Sequence, residues 1–131
     1  MTAITRFVSA CAMFTVLTAG LVIARDNNAV HTSSQFQGRK ANTGTVMHTY
    51  ESGKSILRVS QDFKVPDTPA PTWRVVDSKG NIYTLDAFKI KGGEKREVNV
   101  PSYIHDIAKV QVYCAFAEVL LGEAGFSSPV K

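Results

Sequence analysis

An alternating run near the C-terminal end places the strongest constraint on the fold. In the run KVQVYCAFA, which begins at Lys109, apolar residues alternate with more polar or smaller ones. A period of two is typical of a half-buried β-strand, because successive side chains point to opposite faces of a sheet. By this parity Cys114 and Phe116 share a face with Val110 and Val112. We therefore expect that face to point to the core.

Turn signals at regular intervals predict further strands. The strand candidates are residues 35–40, 43–50, 55–60, 72–76, 82–91 and 96–100. Glycine-containing turns are expected at residues 51–54, 77–81 and 92–95, and the segment 65–71, with three prolines, is expected to be a loop or an extended edge. Short strands spaced by roughly eight to twelve residues are typical of β-sandwiches and barrels. The chain is therefore predicted to be all-β, a single antiparallel β-sandwich or barrel-like domain.

The segment 115–124, AFAEVLLGEA, is the ambiguous part of this assignment. Its alanine, glutamate and leucine residues favour a helix. Gly122 and the period of two just upstream favour a strand, a break and a final strand that ends near Phe126. We adopt the strand interpretation.

The N-terminus indicates export. Arg6 is followed by an uncharged apolar run over residues 7–24 and then by an abruptly polar sequence. This pattern is typical of a secretory signal peptide, so residues 1–24 are assigned to the signal, residues 25–34 to a polar lead-in and residues 35–131 to the β domain. An uncleaved membrane anchor is the alternative, since eighteen apolar residues are near the lower limit for spanning a bilayer. The expected location is periplasmic, extracellular or at the cell surface.

The charge of the chain is mildly basic. It carries 15 basic and 11 acidic residues, and removal of the signal would take away Arg6 alone. The basic residues are scattered and are not interleaved with aromatic ones, so nucleic-acid binding is not predicted. A redox partner protein or another extracellular partner is expected instead, with no membrane contact once the signal is cleaved.

One cysteine remains after cleavage. Exported domains usually carry even numbers of cysteines, but Cys114 would have no internal partner once residues 1–24, which include Cys11, are removed. An odd cysteine of this kind is a buried inert residue, an intermolecular bridge, or a redox or ligating thiol. Cys114 is therefore the candidate site residue.

Two stretches resemble a known family. They are WRVVDSKGNIYTLDAFKI, from Trp73, and VPSYIHDIAKVQVYCAFAEVLLGEAGF, from Val100. Together with elements further upstream, they make the chain from about Gln35 to Phe126 resemble the electron-transfer DM-thirteen domain, an extracellular module also found in Skeletor-type proteins. The most specific part is the aromatic–cysteine pair Tyr113-Cys114 with the strand that follows; the family typically has tryptophan at the first of these positions. The resemblance implies an all-β fold and a redox or electron-transfer role centred on the cysteine.

Three kinds of chemistry are open to Cys114. It could act as a free thiol, for which Lys109, His105 and Arg74 are candidate neighbours. It could ligate haem iron or copper, because His31, His48, His105 and Met47 also exist; their spacing, however, supports neither a copper centre nor haem attachment. No metal site is therefore predicted, the cofactor is left unknown, and each histidine is expected to be structural. Cys114 could also be a plain core residue.

Two functional hypotheses follow. The first is an exported electron-transfer or thiol-redox module that uses Cys114, with or without a cofactor. The second is a non-catalytic extracellular binding or structural domain, in which the loop 65–71 or a sheet edge meets a partner. Hydrolase chemistry is not expected, because no Ser-His-Asp order and no paired catalytic carboxylates can be recognised.

Overall fold

The chain folds as antiparallel β-structure. The computed structural model describes residues 29–131, so the predicted signal peptide lies outside the described residues. The strands are β1 (His31–Thr32), β2 (Val46–Glu51), β3 (Lys54–Val59), β4 (Pro71–Val76), β5 (Ile82–Ala87), β6 (Lys89–Ile90), β7 (Gly93–Glu94), β8 (Glu97–Val100), β9 (Ile107–Cys114) and β10 (Val119–Val130). Within residues 29–131 there is no helix with the length and hydropathy needed to span a bilayer.

Two four-stranded sheets form the layers of the fold. The first has the order β1-β2-β3-β8 and the second the order β10-β9-β4-β5, while β6 and β7 pair as a small separate hairpin. Each pairing between these strands is antiparallel. The predicted all-β, sandwich-like class is confirmed.

Aromatic side chains fill the space between the sheets. Trp73 on β4 stacks on Phe88, with ring centroids 4.5 Å apart and an interplanar angle of 13°. Phe63 lies against Phe88 on one side and against Phe36 on the other, at 5.5 and 4.9 Å. All four rings are buried. Burial of such large apolar surfaces is the main favourable contribution to the stability of a domain of this size.

Most predicted strands occur close to their predicted positions. The candidates at 43–50, 55–60, 72–76 and 96–100 correspond to β2, β3, β4 and β8, and the candidate at 82–91 divides into β5 and β6. The turn at 77–81 joins β4 to β5, with Gly80 at a φ of 85°. The segment 115–124 contains no helix, as predicted, although β10 continues past Phe126 to Val130.

Two predictions about the N-terminal part are wrong. Residues 35–40 form no strand; they make a single bridge, from Gln37 to Glu123, and otherwise bend across the second sheet. Residues 31–32, assigned to a loose lead-in, instead form β1 and pair with β2. A strand of two residues is too short to show a period in sequence, which explains the second error.

The position predicted for Phe116 is also wrong. Strand β9 ends at Cys114, and the chain turns over residues 115–118 before β10 begins. Phe116 lies in this turn and is 76% exposed, whereas Val110, Val112 and Cys114 are buried as predicted. Alternation predicts which face a side chain occupies only within a strand, and Phe116 lies beyond the end of β9.

Candidate thiol site at Cys114

Cys114 lies at the end of β9, on the core face of the second sheet. Its neighbours across the strands are Pro71 on β4 and Val119 on β10. The residue is 1% exposed and belongs to the main hydrophobic core. It forms no disulfide. The thiol therefore lies where two strand pairings end and the β9–β10 turn begins.

The turn after β9 directs hydrogen-bond donors at the sulfur. The backbone N–H of Ala117 donates to Cys114 Sγ over 3.4 Å. Glu118 has a φ of 56°, a left-handed conformation that lets four residues reverse the chain. The pKa of the Cys114 thiol is held below its ordinary value mainly by the Ala117 amide. Burial opposes this effect, because it disfavours the charged thiolate.

Thr68, in the proline-rich loop, contributes a further polar group. Its buried Oγ1 makes no hydrogen bond of ordinary length to any residue that the structure describes. The hydroxyl nevertheless helps to lower the pKa of Cys114, as do the backbone amides of Ala70 and Phe116. Loop and turn thus surround one side of the sulfur with donors, an arrangement that stabilises a thiolate.

A bulge in β10 attaches another segment to this site. The β9–β10 register shifts between Leu120 and Gly122, which leaves Leu121 as the extra residue. The Leu121 carbonyl oxygen accepts hydrogen bonds from the backbone N–H groups of Lys40 and Ala41, both 3.0 Å long. The bulge therefore fixes the segment 38–41 across the sheet.

Glycine is required where the two segments cross. A Cβ on Gly38 would overlap the Leu121 carbonyl oxygen, and a Cβ on Gly122 would overlap the carbonyl oxygen of Ala41. Neither position has room for a side chain. The close approach brings Arg39 and Lys40 beside the β9–β10 hairpin.

An open cavity of about 500 Å³ connects these parts. Its lining is mostly apolar, and it comprises Arg39, Lys40, Thr68, Pro69, Cys114, Ala117, Val119, Leu120 and Leu121. The two basic residues are the only charged groups among them. An apolar pocket with a few convergent polar groups is the usual form of a cofactor or ligand site.

The cationic neighbours considered from sequence lie elsewhere. Arg74 is on the outer face of the second sheet, where its guanidinium lies 4.0 Å from the centroid of the Tyr113 ring and binds Gln111. Lys109 pairs with Glu123 at 3.8 Å. His105 lines a different cavity.

The histidines are not arranged around the thiol. His31, His48 and His105 all line that second cavity, of about 1010 Å³, and none lines the cavity that contains Cys114. Among the described residues there is no group of three or more His, Cys, Asp or Glu side chains that could hold an ion. A copper centre built from cysteine and two histidines does not fit this arrangement.

Sequence reasoning identified Cys114 but missed the residues around it. Arg39 and Lys40 lay in a predicted strand, and Thr68 in a loop that was considered only as a possible contact for a partner. The one available signal was Gly38, which precedes the basic pair and marks a close backbone approach. Comparison with models of known families, with curated proteins and with solved structures finds no significant match to this chain. The resemblance to the DM-thirteen family stays a prediction.

Proposed function

We propose that the protein is an exported electron-transfer module whose working group is the Cys114 thiolate. The observation that carries this proposal is the position of the sulfur, which forms part of an apolar cavity wall while amide donors lower its pKa. A thiolate is the form of cysteine that binds metals and reacts.

The cavity favours a bound cofactor over direct thiol exchange. Exchange with a disulfide requires a second sulfur to reach the thiolate, and Cys114 is only 1% exposed. A flat group in the cavity would meet the sulfur from the side on which Cys114 forms part of the cavity wall. Cys114 therefore acts as a ligand in this proposal.

The chemical class of the cofactor follows from the lining. Apolar walls at Val119, Leu120 and Leu121 suit a flat, largely apolar group, and Arg39 with Lys40 suits anionic substituents at its edge. Haem combines these properties, and Cys114 would be the side chain that holds its iron, since cysteine thiolate is one of the known ligands of haem iron. When bound, it supplies a one-electron couple that can pass an electron from a donor protein to an acceptor. The residues of this chain would hold the group, exclude water and donate hydrogen bonds to the sulfur, which favours its thiolate form.

The test is a visible spectrum of purified protein incubated with haem. We expect a thiolate-ligated haem band that is lost in Cys114→Ser, and affinity reduced in Arg39→Gln. The matched control is Arg58→Gln, which removes a basic residue paired with Glu97 on the first sheet and should leave the spectrum unchanged. Circular dichroism checks that each variant is folded. A spectrum of free haem in the parent protein, or one unaffected by Cys114→Ser, contradicts the proposal.

A non-catalytic binding domain is the second candidate, and one observation favours it. The β9–β10 hairpin exposes Phe116, Val119 and Leu120, at 76, 47 and 44% of their surface. Clustered exposed apolar side chains are more typical of an interaction surface than of a solvated turn. If this function is the correct one, Phe116→Ala abolishes capture of an extracellular partner while Cys114→Ser does not. A native thiol that reacts with reagents only after unfolding would agree with it.

A further inference from the structure

The second cavity opens between the ends of the two sheets. On the first sheet Tyr50, Ser55 and Val100 are cross-strand neighbours on β2, β3 and β8, and on the second sheet Ile107 pairs with Val130. All five residues line this cavity of about 1010 Å³. A cleft of this kind between packed elements is a usual place for a small ligand.

Apolar side chains form one part of the cavity wall. The buried core residues that also line the cavity are Val100, Ile104, Ile107 and Val130, and two prolines, Pro101 and Pro129, line it as well. An apolar group that packs against this wall removes its own surface and that of the wall from water, which is favourable.

A chain of three hydrogen-bonding side chains forms a polar part of the wall. The Nδ1 atom of His48 lies 3.3 Å from His31 Nδ1, and its Nε2 atom lies 2.6 Å from Ser55 Oγ. All three residues line the cavity. A neutral imidazole carries one N–H group, so His48 donates to one of these neighbours and accepts from the other.

Either direction of this chain leaves one donor over. If Ser55 donates to His48, the remaining N–H is on His31 Nε2. If His48 donates to Ser55, the hydroxyl proton of Ser55 is available to a ligand. A negatively charged acceptor beside Ser55 would select the second arrangement, because hydrogen bonds to a charged acceptor are the stronger kind.

The charged side chains at the cavity favour an anionic ligand. Lys54, Lys131 and Asp106 line it. The hydroxyl and the backbone N–H of Ser78 donate to Asp106, and together with a smaller effect of Lys131 they hold the pKa of this carboxyl below its ordinary value. Within residues 29–131 the exposed Lys54 forms no ion pair, and Glu51, opposite it on β2, does not line the cavity. One ammonium group is thus left uncompensated.

We propose that the second cavity binds a small amphipathic carboxylate. Its carboxylate group accepts a hydrogen bond from the Ser55 hydroxyl and lies near the Lys54 ammonium, and its apolar chain packs against Ile104 and Ile107. A carboxylate carries a single charge at neutral pH, which matches the one uncompensated ammonium. A phosphate monoester, with nearly two charges, would not be matched.

The test is an NMR titration of the purified protein with hexanoate. The comparison probes are 1-hexanol, which has the same chain without the charge, and inorganic phosphate, which has charge without the chain. We expect hexanoate to shift the resonances of His48, Ser55 and Ile107 and to saturate at millimolar concentration. Hexanol should bind at least about tenfold more weakly, since it lacks the charge-assisted hydrogen bond, and phosphate should give no saturable shift.

Three outcomes of the titration overturn the proposal. Equal affinities for hexanol and hexanoate would show that the carboxylate is not recognised. Shifts confined to Val119 and Leu120 would place the probe in the cavity that contains Cys114. Saturable binding of phosphate, with none of hexanoate, would show that the apolar wall plays no part.

Variants assign the binding to these residues. Ser55→Ala should weaken hexanoate binding roughly tenfold or more, whereas Ser55→Thr keeps the hydroxyl and should bind like the parent. Lys54→Gln should weaken it by about two- to fivefold. The matched control is Lys64→Gln, which alters an exposed lysine that lines neither cavity and should leave the affinity unchanged.

The fold of each variant is checked by its backbone NMR spectrum. Equal affinities of Ser55→Ala and its parent overturn the proposal, as does a loss in Ser55→Thr as large as that in Ser55→Ala. Either result leaves the proposed function of Cys114 untouched, since the thiol lines the other cavity.

Discussion

At the scale of single residues, burial acts in opposite directions on the two titratable groups of interest. Cys114 lies in an apolar wall, yet the amides directed at its sulfur outweigh burial and lower its pKa. For His48 burial is the dominant effect, and it keeps the imidazole neutral. Desolvation thus favours the neutral form of His48, whereas hydrogen-bond donors favour the thiolate form of Cys114.

The protein should lose stability in mild acid because of His48. Its pKa is about 4 in the folded state against an ordinary value of 6.5. Between these values the unfolded chain binds a proton that the folded chain does not, so the free energy of unfolding falls as pH decreases. The loss reaches roughly 3 kcal/mol at pH 4 and then levels off.

Denaturant unfolding at a series of pH values checks this prediction. His48→Gln removes the titrating group and should flatten the curve between pH 6.5 and pH 4. His105→Gln, which alters an exposed histidine of the same cavity, should keep the slope of the parent. A parent curve with no slope in this range would contradict the assignment to His48.

At the scale of elements, the β10 bulge organises the thiol site. By turning the Leu121 carbonyl toward the segment 38–41, it connects a strand of the second sheet to a segment some eighty residues earlier in the chain. The connection depends on backbone contact and not on side chains. Substitution should therefore be tolerated least at Gly38 and Gly122, where the two backbones cross.

Gly122→Ala should be strongly destabilising. The added Cβ would overlap the Ala41 carbonyl oxygen and lie 2.8 Å from Ala41 Cβ, and overpacking of this kind costs roughly 2–3 kcal/mol. The change should also displace Arg39 and Lys40 and weaken haem binding. Gly93→Ala is the matched control, since nothing lies within 4 Å of an added Cβ there; its stability should stay within about 0.5 kcal/mol of the parent in urea unfolding. Equal midpoints for the two variants would disprove the close-contact explanation.

Strands in which apolar and polar residues alternate clearly were predictable from the sequence. The turns that end these strands were not. Val110, Val112 and Cys114 alternate along one strand and all three face the core, so parity placed them correctly. Phe116 was misplaced because the turn at residues 115–118 has no glycine, proline, asparagine or aspartate to mark it. The cavity could not be predicted either, since Arg39, Thr68 and Cys114 come from three separate segments.

At the scale of the whole molecule, one stack of buried aromatic rings lies in the core beside the second sheet. Trp73 contributes both its ring, which lies on Phe88, and its Nε1–H, which donates to the Lys95 carbonyl over 2.9 Å. A buried indole that satisfies its own donor fixes the position of the strand on which it lies. We expect global stability to depend on this residue more than on any exposed aromatic side chain.

Trp73→Phe should lower the free energy of unfolding by about 2–4 kcal/mol. The smaller ring leaves a cavity, and the Lys95 carbonyl loses its partner. Phe116→Ala, which removes a ring that is 76% exposed, should change stability by less than about 0.5 kcal/mol. Urea denaturation of both variants measures the difference, and a cost for Trp73→Phe as small as that for Phe116→Ala would show that the stack is dispensable.

The direction of β9 separates the two ends of the domain. Ile107, at its start, pairs with Val130 beside the C-terminal Lys131, and Cys114 lies at its far end. Eight extended residues span roughly 23 Å at about 3.3 Å per residue. Ala29 and Lys131 both line the histidine cavity, at the Ile107 end. A purification handle, a fluorophore or an electrode linker attached to Lys131 would therefore begin about one strand length away from the sulfur.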